Sequence, residues 1–309
     1  MSTDRGDPMR ARFSASDEAW AAWQGPLREA CPGVEFARDG DPAGFDAIIY
    51  APGGDIEDFT PYRNVGLVQS LWAGVERIVT NRTLTQPLAR MVDPGLARGM
   101  AEYCTGWAMR AHLGMDRYAQ DGVWRNGQIP PLATQRPVTV LGMGELGRAV
   151  AAMLQGVGFP VTGVSHSGRP VEGATMHGVA DLDAVLPGSD ILICLLPDTP
   201  RTRNLLDARR LALLPEGAWL INPGRGTLID DTALVSALDG GLGHAVLDVF
   251  RSEPLAPDHP FWAHRQVTVT PHIAAETRPR TAAPVVAENL RRLRDGRAPM
   301  FLVDRDRGY

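Results

Sequence analysis

Three side chains in the second half of the sequence are of types that suit acid–base chemistry on a polarised oxygen. Arg225 lies between two glycines, so its planar guanidinium can be exposed toward a carboxylate or a keto oxygen. Glu253 and His272 supply a carboxylate and an imidazole, and all three residues follow β-rich runs. Because ligands bind at the carboxyl edge of parallel sheets, we expect the three to share one site. The other six histidines lack this setting, and we interpret them as structural or surface residues.

A glycine-rich segment, Gly142-Met-Gly144-Glu-Leu-Gly147, lies between a β-rich run and a helical pattern. In such a motif the first glycine permits a tight turn, and the second lets the backbone approach a pyrophosphate. The third lets the helix pack closely on the strand. The helix N-terminus adds free N–H groups and a positive dipole end. We therefore interpret the segment as dinucleotide-binding rather than as a glycine turn without a ligand.

The loop after the next predicted strand indicates which dinucleotide is used. An NAD site usually has Asp or Glu about 20 residues beyond the first glycine, where it binds the ribose. The segment Ser165-His166-Ser167-Gly168-Arg169 occupies that place without a carboxylate. Its hydroxyls and guanidinium suit a 2′-phosphate, so we predict NADP as the preferred cofactor, with NAD possible. A solvated loop without 2′ discrimination is the alternative.

Strand and helix patterns alternate along the chain and must position these residues. The predicted strands are Asp46–Tyr50, Val65–Leu71, Val138–Leu141, Val161–Val164, Ser189–Leu196, Ala218–Ile221, His244–Asp248 and Val267–Thr270. The predicted helices are Ser16–Ala30 with Ser16 as N-cap, Met100 to about Tyr118, Arg148–Val157 and Asp230–Leu238. Pro94-Gly95 is interpreted as a break, and Asp121–Pro137 as a polar loop. The alternation predicts an α/β fold with doubly wound parallel sheets.

Composition excludes several classes of protein. With 309 residues the chain is long enough for two domains, and 44% hydrophobic with 22% charged residues is typical of a globular protein. A net charge of −5 disfavours a nucleic-acid binder. All 31 residues counted as Lys or Arg are arginine, so mechanisms that need a catalytic lysine are excluded.

The cysteines and apolar runs restrict the possibilities further. Cys31, Cys104 and Cys194 are far apart in the sequence, so we expect packing residues or surface thiols, without a disulfide framework or bound metal. The charged segment Met1–Phe13 lacks the apolar region of a signal peptide. The longest apolar run, Ile191–Leu196, is far shorter than the roughly 20 residues that span a membrane. We expect a cytoplasmic protein without nucleic-acid or membrane partners.

Several segments together resemble the D-isomer-specific 2-hydroxyacid dehydrogenase family. They are Asn222-Pro-Gly-Arg225-Gly-Thr-Leu-Ile-Asp230, Leu247-Asp-Val-Phe-Arg-Ser-Glu253-Pro-Leu255, Thr270-Pro-His272-Ile-Ala-Ala275 and Leu195-Leu-Pro-Asp-Thr-Pro-Arg-Thr202. The match covers about Ala101 to Ala275, with the glycine-rich motif at the expected distance upstream. Gly99–Tyr103 and the tail Val303–Tyr309 further resemble the glyoxylate/hydroxypyruvate reductase A subgroup, whose second strand also lacks the acidic residue.

This resemblance implies roles for individual residues. Arg225 would bind the substrate carboxylate and keto oxygen, His272 would donate a proton during reduction, and Glu253 would hold the charged imidazole. Asp248 would face the nicotinamide amide. The full set of cofactor-binding residues that the motif and the resemblance imply is Gly142, Gly144, Glu145, Leu146, Gly147, Ser165, His166, Ser167, Arg169, Leu196, Pro197, Asn222, Pro223, Asp248 and Ala274.

A loop in the first third is similar to the family segment that binds the substrate carboxylate through backbone N–H groups. It is Leu71-Trp-Ala-Gly-Val75, with the amides of Ala73, Gly74 and Val75 nearest the substrate. Trp72 stands where a small residue is expected, which affects the size of the pocket. Tyr50 and Trp262 are further candidates for the pocket, with core packing as the alternative.

The resemblance also implies an architecture and a reaction. Two Rossmann-like or flavodoxin-like domains would enclose an active-site cleft: a discontinuous substrate-binding lid domain, residues 1–98 plus 276–309, and an NAD(P)-binding domain, residues 99–275. The enzyme, a homodimer, would reduce glyoxylate or hydroxypyruvate to the D-2-hydroxy acid. One alternative is a dehydrogenase for a bulkier 2-keto acid. A non-catalytic dinucleotide sensor and a structural subunit are others, and the complete Arg–Glu–His set disfavours both.

Overall fold

The computed structural model describes residues 8–118, 122–124, 126, 129–305 and 308. Two compact units make up the chain. The first consists of Met1–Leu96 and Thr277–Tyr309, and the second of Ala97–Glu276. The first unit is therefore built from both ends of the sequence. No described helix is long and apolar enough to cross a membrane, and no described group of His, Cys, Asp and Glu side chains is arranged to hold a metal ion.

Within the described residues, each unit contains one sheet whose strand pairs are all parallel. The strands are β1 (Met9–Ser14), β2 (Val34–Ala37), β3 (Ala47–Tyr50), β4 (Leu67–Ser70), β5 (Leu88–Ala89), β6 (Val138–Leu141), β7 (Val161–Ser165), β8 (Ala174–Gly178), β9 (Ile191–Cys194), β10 (Trp219–Asn222), β11 (His244–Leu247) and β12 (Val267–Val269). The helices are α1 (Asp17–Ala30), α2 (Glu76–Val79), α3 (Pro94–Leu113), α4 (Glu145–Val157), α5 (Leu182–Val185), α6 (Ala208–Leu211), α7 (Asp231–Asp239), α8 (Pro260–Ala263) and α9 (Pro279–Arg294).

The strand orders confirm the predicted doubly wound α/β class. The sheet of the first unit has the order β2-β1-β3-β4-β5, and that of the second has β12-β11-β10-β9-β6-β7-β8. In the second sheet the chain reverses direction across the sheet between β6 and β9. Ligands of open α/β sheets bind outside the carboxyl ends of the strands at such a reversal. The glycine-rich segment follows β6, so it lies at this point.

All eight predicted strands are present, with ends shifted by no more than two residues. Helix α1 begins after Ser16, whose hydroxyl accepts a hydrogen bond from the N–H of Ala19 at 3.2 Å, as predicted. Helix α4 begins three residues before the predicted Arg148. The predicted Asp230–Leu238 helix matches α7 within one residue. The strands β1, β2, β5 and β8, the short helices α2, α5, α6 and α8, and the helix α9 were not predicted.

The interpretation of Pro94-Gly95 as a break was wrong, because α3 begins at Pro94. The Asp93 carboxylate accepts hydrogen bonds from the N–H groups of Gly95 and Leu96, each at 3.0 Å, and so caps the helix. Proline is favoured at the first helical position, where its missing N–H is not needed. The helix also ends earlier than predicted, before Gly114 in the left-handed region. Part of the predicted Asp121–Pro137 loop lies outside the described residues.

Candidate active site

Three parallel strands of the second unit deliver the three predicted catalytic residues to one edge. Arg225 lies in the turn after β10, Glu253 in the loop after β11, and His272 shortly after β12, beyond Thr270 and Pro271. These strands are neighbours in the sheet, so their carboxyl ends are adjacent. The structure thus places the three residues at the same edge, where the sequence predicted them.

Glu253 holds the His272 imidazole through a hydrogen bond. The imidazole Nδ1 lies 2.8 Å from Glu253 Oε2, while Oε1 accepts a hydrogen bond from the N–H of Phe250 at 2.9 Å. Both carboxylate oxygens are therefore held, and the carboxylate fixes the ring orientation. The His272 side chain is half exposed, and Nε2 has no partner among the described residues. With a proton on Nδ1 facing the carboxylate, Nε2 is the nitrogen that can exchange a proton with a ligand.

The backbone at His272 is in an uncommon conformation. Its φ is +55°, in the left-handed region, which costs a non-glycine residue on the order of 1–3 kcal/mol. Three N–H groups tie the segment to Asp248: His272 to its backbone oxygen at 2.9 Å, and Ile273 and Ala274 to its carboxylate oxygens at 2.9 and 3.0 Å. These bonds hold the strained conformation in place.

Asp248 is fully buried, and its carboxylate also accepts a hydrogen bond from Thr270 Oγ1 at 2.6 Å. The carboxylate thus has three protein donors. The family resemblance implies that Asp248 faces the nicotinamide amide. The observed hydrogen bonds show that Asp248 holds the segment around His272, and its contact with the nicotinamide stays a prediction.

The glycines beside Arg225 allow close packing of the backbone. A Cβ atom on Gly226 would lie 2.1 Å from the carbonyl carbon of Phe250, so the Arg225 turn packs directly against the loop that carries Glu253. The buried Asn222 side chain holds the turn, because Nδ2 donates to the Arg225 carbonyl oxygen at 3.0 Å and Oδ1 accepts from the Gly224 N–H at 3.2 Å. Arg225 Nη1 donates to the Gly224 carbonyl oxygen at 2.7 Å.

The glycine-rich segment forms an open cradle at the start of α4. Gly142 has a φ of +105°, and a Cβ atom on Gly147 would lie 1.9 Å from the Gly142 oxygen. The exposed Gly144 has no atom within 4 Å of its Cβ position, and no side chain caps the helix. Glu145 is exposed and Leu146 is partly buried beside it. A diphosphate fits this arrangement, because it can approach the backbone and accept from the free N–H groups.

The loop after β7 presents donors to solvent. Ser165 Oγ accepts a hydrogen bond from the N–H of Gly168 at 3.2 Å, and Ser167 Oγ accepts from the N–H of Arg169 at 3.4 Å. Both hydroxyl protons remain available to a ligand. His166, Ser167 and Arg169 are exposed, and the Arg169 guanidinium has no ion pair within the described part of the chain.

The remaining predicted cofactor residues line the same edge. Leu196 and Pro197 follow β9 and are partly buried, Pro223 follows β10 and is buried, and Ala274 is buried beside Asp248. Sequence reasoning did not single out Asp198, which forms a two-bond ion pair with Arg203 at 2.9 and 3.2 Å. Arg203 lowers the pKa of the Asp198 carboxyl. The sequence signal for this ion pair is an acidic and a basic residue five positions apart after a predicted strand.

The predicted substrate residues are divided between the units. Tyr50 is the last residue of β3, and Trp72–Val75 follow β4. The N–H groups of Ala73, Gly74 and Val75 donate to no other described residue, so they are available to an anion. Tyr50 packs against Phe59 with ring centroids 5.9 Å apart. Trp262 belongs to the second unit and is 53% exposed, which argues against core packing.

Comparison with known proteins identifies the family. The sequence model described as D-isomer specific 2-hydroxyacid dehydrogenase, NAD binding domain, matches residues 107–274. The chain belongs to this family. The matched range includes the segments after β6, β9, β10, β11 and β12, which form the site.

Individual family members are similar over most of their length. Glyoxylate/hydroxypyruvate reductase A from Serratia proteamaculans (strain 568) is 39% identical over 254 residues, covering 78% of this chain and 81% of the relative. A dehydrogenase of this family from Xanthobacter autotrophicus Py2, solved with NADPH and MES, has a TM-score of 0.91 at 36% identity, covering 98% and 100% of the two chains. The NADPH-dependent glyoxylate/hydroxypyruvate reductase from Sinorhizobium meliloti, solved with NADP and sulfate, has a TM-score of 0.86 at 32% identity with the same coverage.

Proposed function

We propose that this dehydrogenase reduces a small 2-keto acid, glyoxylate or hydroxypyruvate, to the 2-hydroxy acid with NADPH. The observation that carries the proposal is the hydrogen bond between His272 and Glu253, which lies on the loop that packs against the Arg225 turn. An imidazole held by a carboxylate, at the same sheet edge as an arginine, suits the protonation of a carbonyl oxygen that gains negative charge. The names of the relatives from Serratia and Sinorhizobium support these substrates.

The proposed mechanism assigns one task to each side chain. NADPH, when bound, supplies a hydride for the keto carbon. Arg225 stabilises the negative charge that develops on the keto oxygen, and protonated His272 donates a proton to that oxygen from Nε2. Glu253 keeps the ring oriented and stabilises its charged form. The amides of Ala73, Gly74 and Val75, in the first unit, would bind the substrate carboxylate, which gives that unit the substrate-binding role and the second unit the cofactor.

The test of the proposed activity is a panel of 2-keto acids with NADPH, followed by the loss of NADPH absorbance. Glyoxylate and hydroxypyruvate should have higher kcat/KM than phenylpyruvate or branched 2-keto acids. Preference for a bulky acid would instead identify the chain as a family member that acts on a bulkier 2-keto acid. Failure to oxidise NADPH with any acid, while NADPH still binds, would favour a dinucleotide sensor.

We assign the preference for NADPH to the loop after β7. The free hydroxyl protons of Ser165 and Ser167 and the guanidinium of Arg169 suit a 2′-phosphate, and the loop contains no carboxylate to repel it. A charge-assisted bond of roughly 1.5–3 kcal/mol corresponds to about a 10- to 100-fold preference. Arg169→Ala should lose that preference in kcat/KM, whereas the control Arg209→Ala, which breaks a surface ion pair with Asp183, should not. An NADH preference in the wild type would refute the assignment.

We also propose that the chain forms a homodimer. Large apolar side chains are exposed between α3 and β6: Met115, Tyr118, Val123, Trp124, Ile129 and Leu132. Exposed groups of this kind commonly mark association surfaces. Light scattering should give twice the chain mass, and Trp124→Glu should shift it toward the monomer. A monomeric wild type would refute the proposal.

The cytoplasmic location of the protein stays a prediction.

A further inference from the structure

We infer that Tyr103 is a positioning residue for His272 and acts through Thr270 and Asp248. The inference rests on the proposed function, in which His272 donates the proton. Tyr103 lies on the helix α3, far in sequence from the three predicted catalytic residues and outside the loops at the carboxyl edge of the sheet. Its hydroxyl nevertheless begins a chain of hydrogen bonds that ends on the backbone on the C-terminal side of the imidazole.

The direction of each hydrogen bond in this chain follows from the groups involved. The Asp248 carboxylate can only accept, so Thr270 Oγ1 donates its proton to Asp248 Oδ1 at 2.6 Å. Thr270 Oγ1 must then accept from the Tyr103 hydroxyl, which lies 2.7 Å away. Oδ1 of Asp248 also accepts from the N–H of Ile273, and Oδ2 accepts from the N–H of Ala274. The tyrosine proton thus orders the threonine, and the threonine orders the carboxylate.

The segment around His272 needs such support. Pro271, His272 and Ile273 are all exposed, and His272 holds a positive φ. Little side-chain packing therefore fixes the segment, and its hydrogen bonds to Asp248 and Thr270 must do so. Of the charged groups, Glu253 contacts the imidazole ring and Asp248 binds the backbone next to it. A looser Asp248 would let the ring move away from Glu253.

Tyr103 is suited to remain a permanent donor. It is partly buried, with its ring edge-on to Trp107 at 6.1 Å between centroids. Burial raises the pKa of the Tyr103 hydroxyl, so the group keeps its proton throughout the range in which an imidazole titrates. Its contribution to the chain of hydrogen bonds is therefore constant with pH.

The test uses isosteric variants that each remove one hydroxyl. Tyr103→Phe should lower kcat about fivefold, and Thr270→Val about tenfold or more, because Thr270→Val leaves Asp248 one donor short. Both should leave the Kd for NADPH near the wild-type value. Thr270→Ser keeps the hydroxyl and should restore most of the activity. Combining Tyr103→Phe with Thr270→Val should add little to Thr270→Val alone, because the two residues act in series.

Matched controls remove hydroxyls that do not reach Asp248. Thr268 lies two residues earlier in β12, and its Oγ1 is bonded to His244 Nε2 at 2.8 Å instead. Thr268→Val should keep the wild-type kcat. Tyr62→Phe, a nearly buried tyrosine of the first unit, should do so as well.

A readout that is independent of turnover separates this inference from the proposed function. NMR titration of the His272 imidazole, assigned with His272→Gln, should show the ring losing its proton at lower pH in Thr270→Val and Tyr103→Phe than in the wild type, because the contact with Glu253 weakens. If the wild type reduces no 2-keto acid but the titration shifts, the proposed function fails and the positioning stands. If both variants titrate and turn over like the wild type, the inference is wrong.

Discussion

At the scale of single residues, Arg225 is the side chain on which the proposed chemistry depends most. We predict that Arg225→Ala lowers kcat/KM for glyoxylate on the order of 10²- to 10³-fold, the usual effect of removing one group that stabilises a developing oxyanion. Binding of NADPH should survive, because the cradle at α4 does not involve this side chain. Steady-state kinetics and a fluorescence titration with NADPH would measure the two effects.

A lysine replacement makes the same test sharper. Arg225→Lys keeps the charge but loses the planar fork, so it should rescue little of the lost activity. Turnover close to the wild-type rate in Arg225→Ala would contradict the assignment. Full rescue by lysine would mean that charge alone is needed.

Removal of the Glu253 carboxylate should shift the pH dependence of the reaction and should not abolish activity. In Glu253→Gln a neutral amide replaces the carboxylate 2.8 Å from His272 Nδ1, so the charged imidazole loses its stabilising partner. Reduction needs the charged form, and the alkaline limb of kcat/KM should therefore move to lower pH. An unchanged profile, or a move to higher pH, would remove Glu253 from the proposed site.

The sequence allowed prediction of these residues to different extents. Arg225, Glu253 and His272 were found because each follows a strand, and the strand order places such residues on one edge. The sequence predicts that the glycines beside Arg225 expose its side chain, and the structure shows in addition that Gly226 lets two loops pack together. The bond from Tyr103 to Thr270 joins positions 167 residues apart, and no local pattern could indicate it.

At the scale of elements, the buried strands were predictable because they are continuous apolar runs, as is typical of parallel sheets covered on both faces. Strand β1 was not, because Arg10 and Arg12 interrupt its apolar pattern. In the structure the Arg12 guanidinium is nearly completely buried, donates to the Phe13 oxygen at 2.6 Å and pairs with Asp55. A tertiary contact thus makes a charged side chain compatible with a buried strand.

The packing of α4 on β6 gives a prediction for this element. Gly147→Ala should destabilise the protein and weaken NADPH binding, because the new Cβ would lie 1.9 Å from the Gly142 oxygen and the helix would have to shift. This forced shift of the helix should lower the free energy of unfolding by about 1–3 kcal/mol. Denaturant unfolding and a binding titration would test both effects.

Gly156, in the last turn of the same helix, provides the control. A Cβ atom there meets nothing within 4 Å, and replacement of a helical glycine by alanine stabilises by roughly 0.5–1 kcal/mol. Gly156→Ala should therefore raise stability and leave NADPH binding unchanged. If Gly147→Ala behaved in the same way, the close approach of α4 to the glycine-rich turn would be refuted.

At the scale of the whole molecule, both ends of the sequence contribute to one unit. Helices α1 and α9 share one apolar cluster, and the buried Asn289 of α9 donates to Gln69 of β4 at 2.6 Å. The resemblance implied a discontinuous domain of this kind. The residues of α9 did not indicate it, because long-range partners such as Gln69 and Asn289 have no signature in local sequence.

The stability of the whole chain should depend on pH through two histidines. His112 is nearly buried on α3 against the edge of Phe159, and no described group pairs with its Nδ1. Burial, and secondarily Arg136, lower the pKa of His112. Burial likewise lowers the pKa of His244, which is stacked on Trp219. The folded state therefore favours the neutral form of both imidazoles.

The sign of the effect follows from this difference. In the unfolded chain both histidines take up a proton near pH 6.5, whereas in the folded chain they do so only at lower pH. The unfolded state then binds more protons, and the free energy of unfolding falls as pH drops through this range. The slope is at most about 1.4 kcal/mol per pH unit for each histidine. Unfolding in denaturant between about pH 8 and 5 should show this decline, and combining His112→Phe with His244→Gln should flatten it. The test compares slopes of the free energy of unfolding against pH, so a change in packing that lowers this free energy equally at every pH does not affect it. An equally steep decline in the double variant would assign the acid sensitivity to other groups.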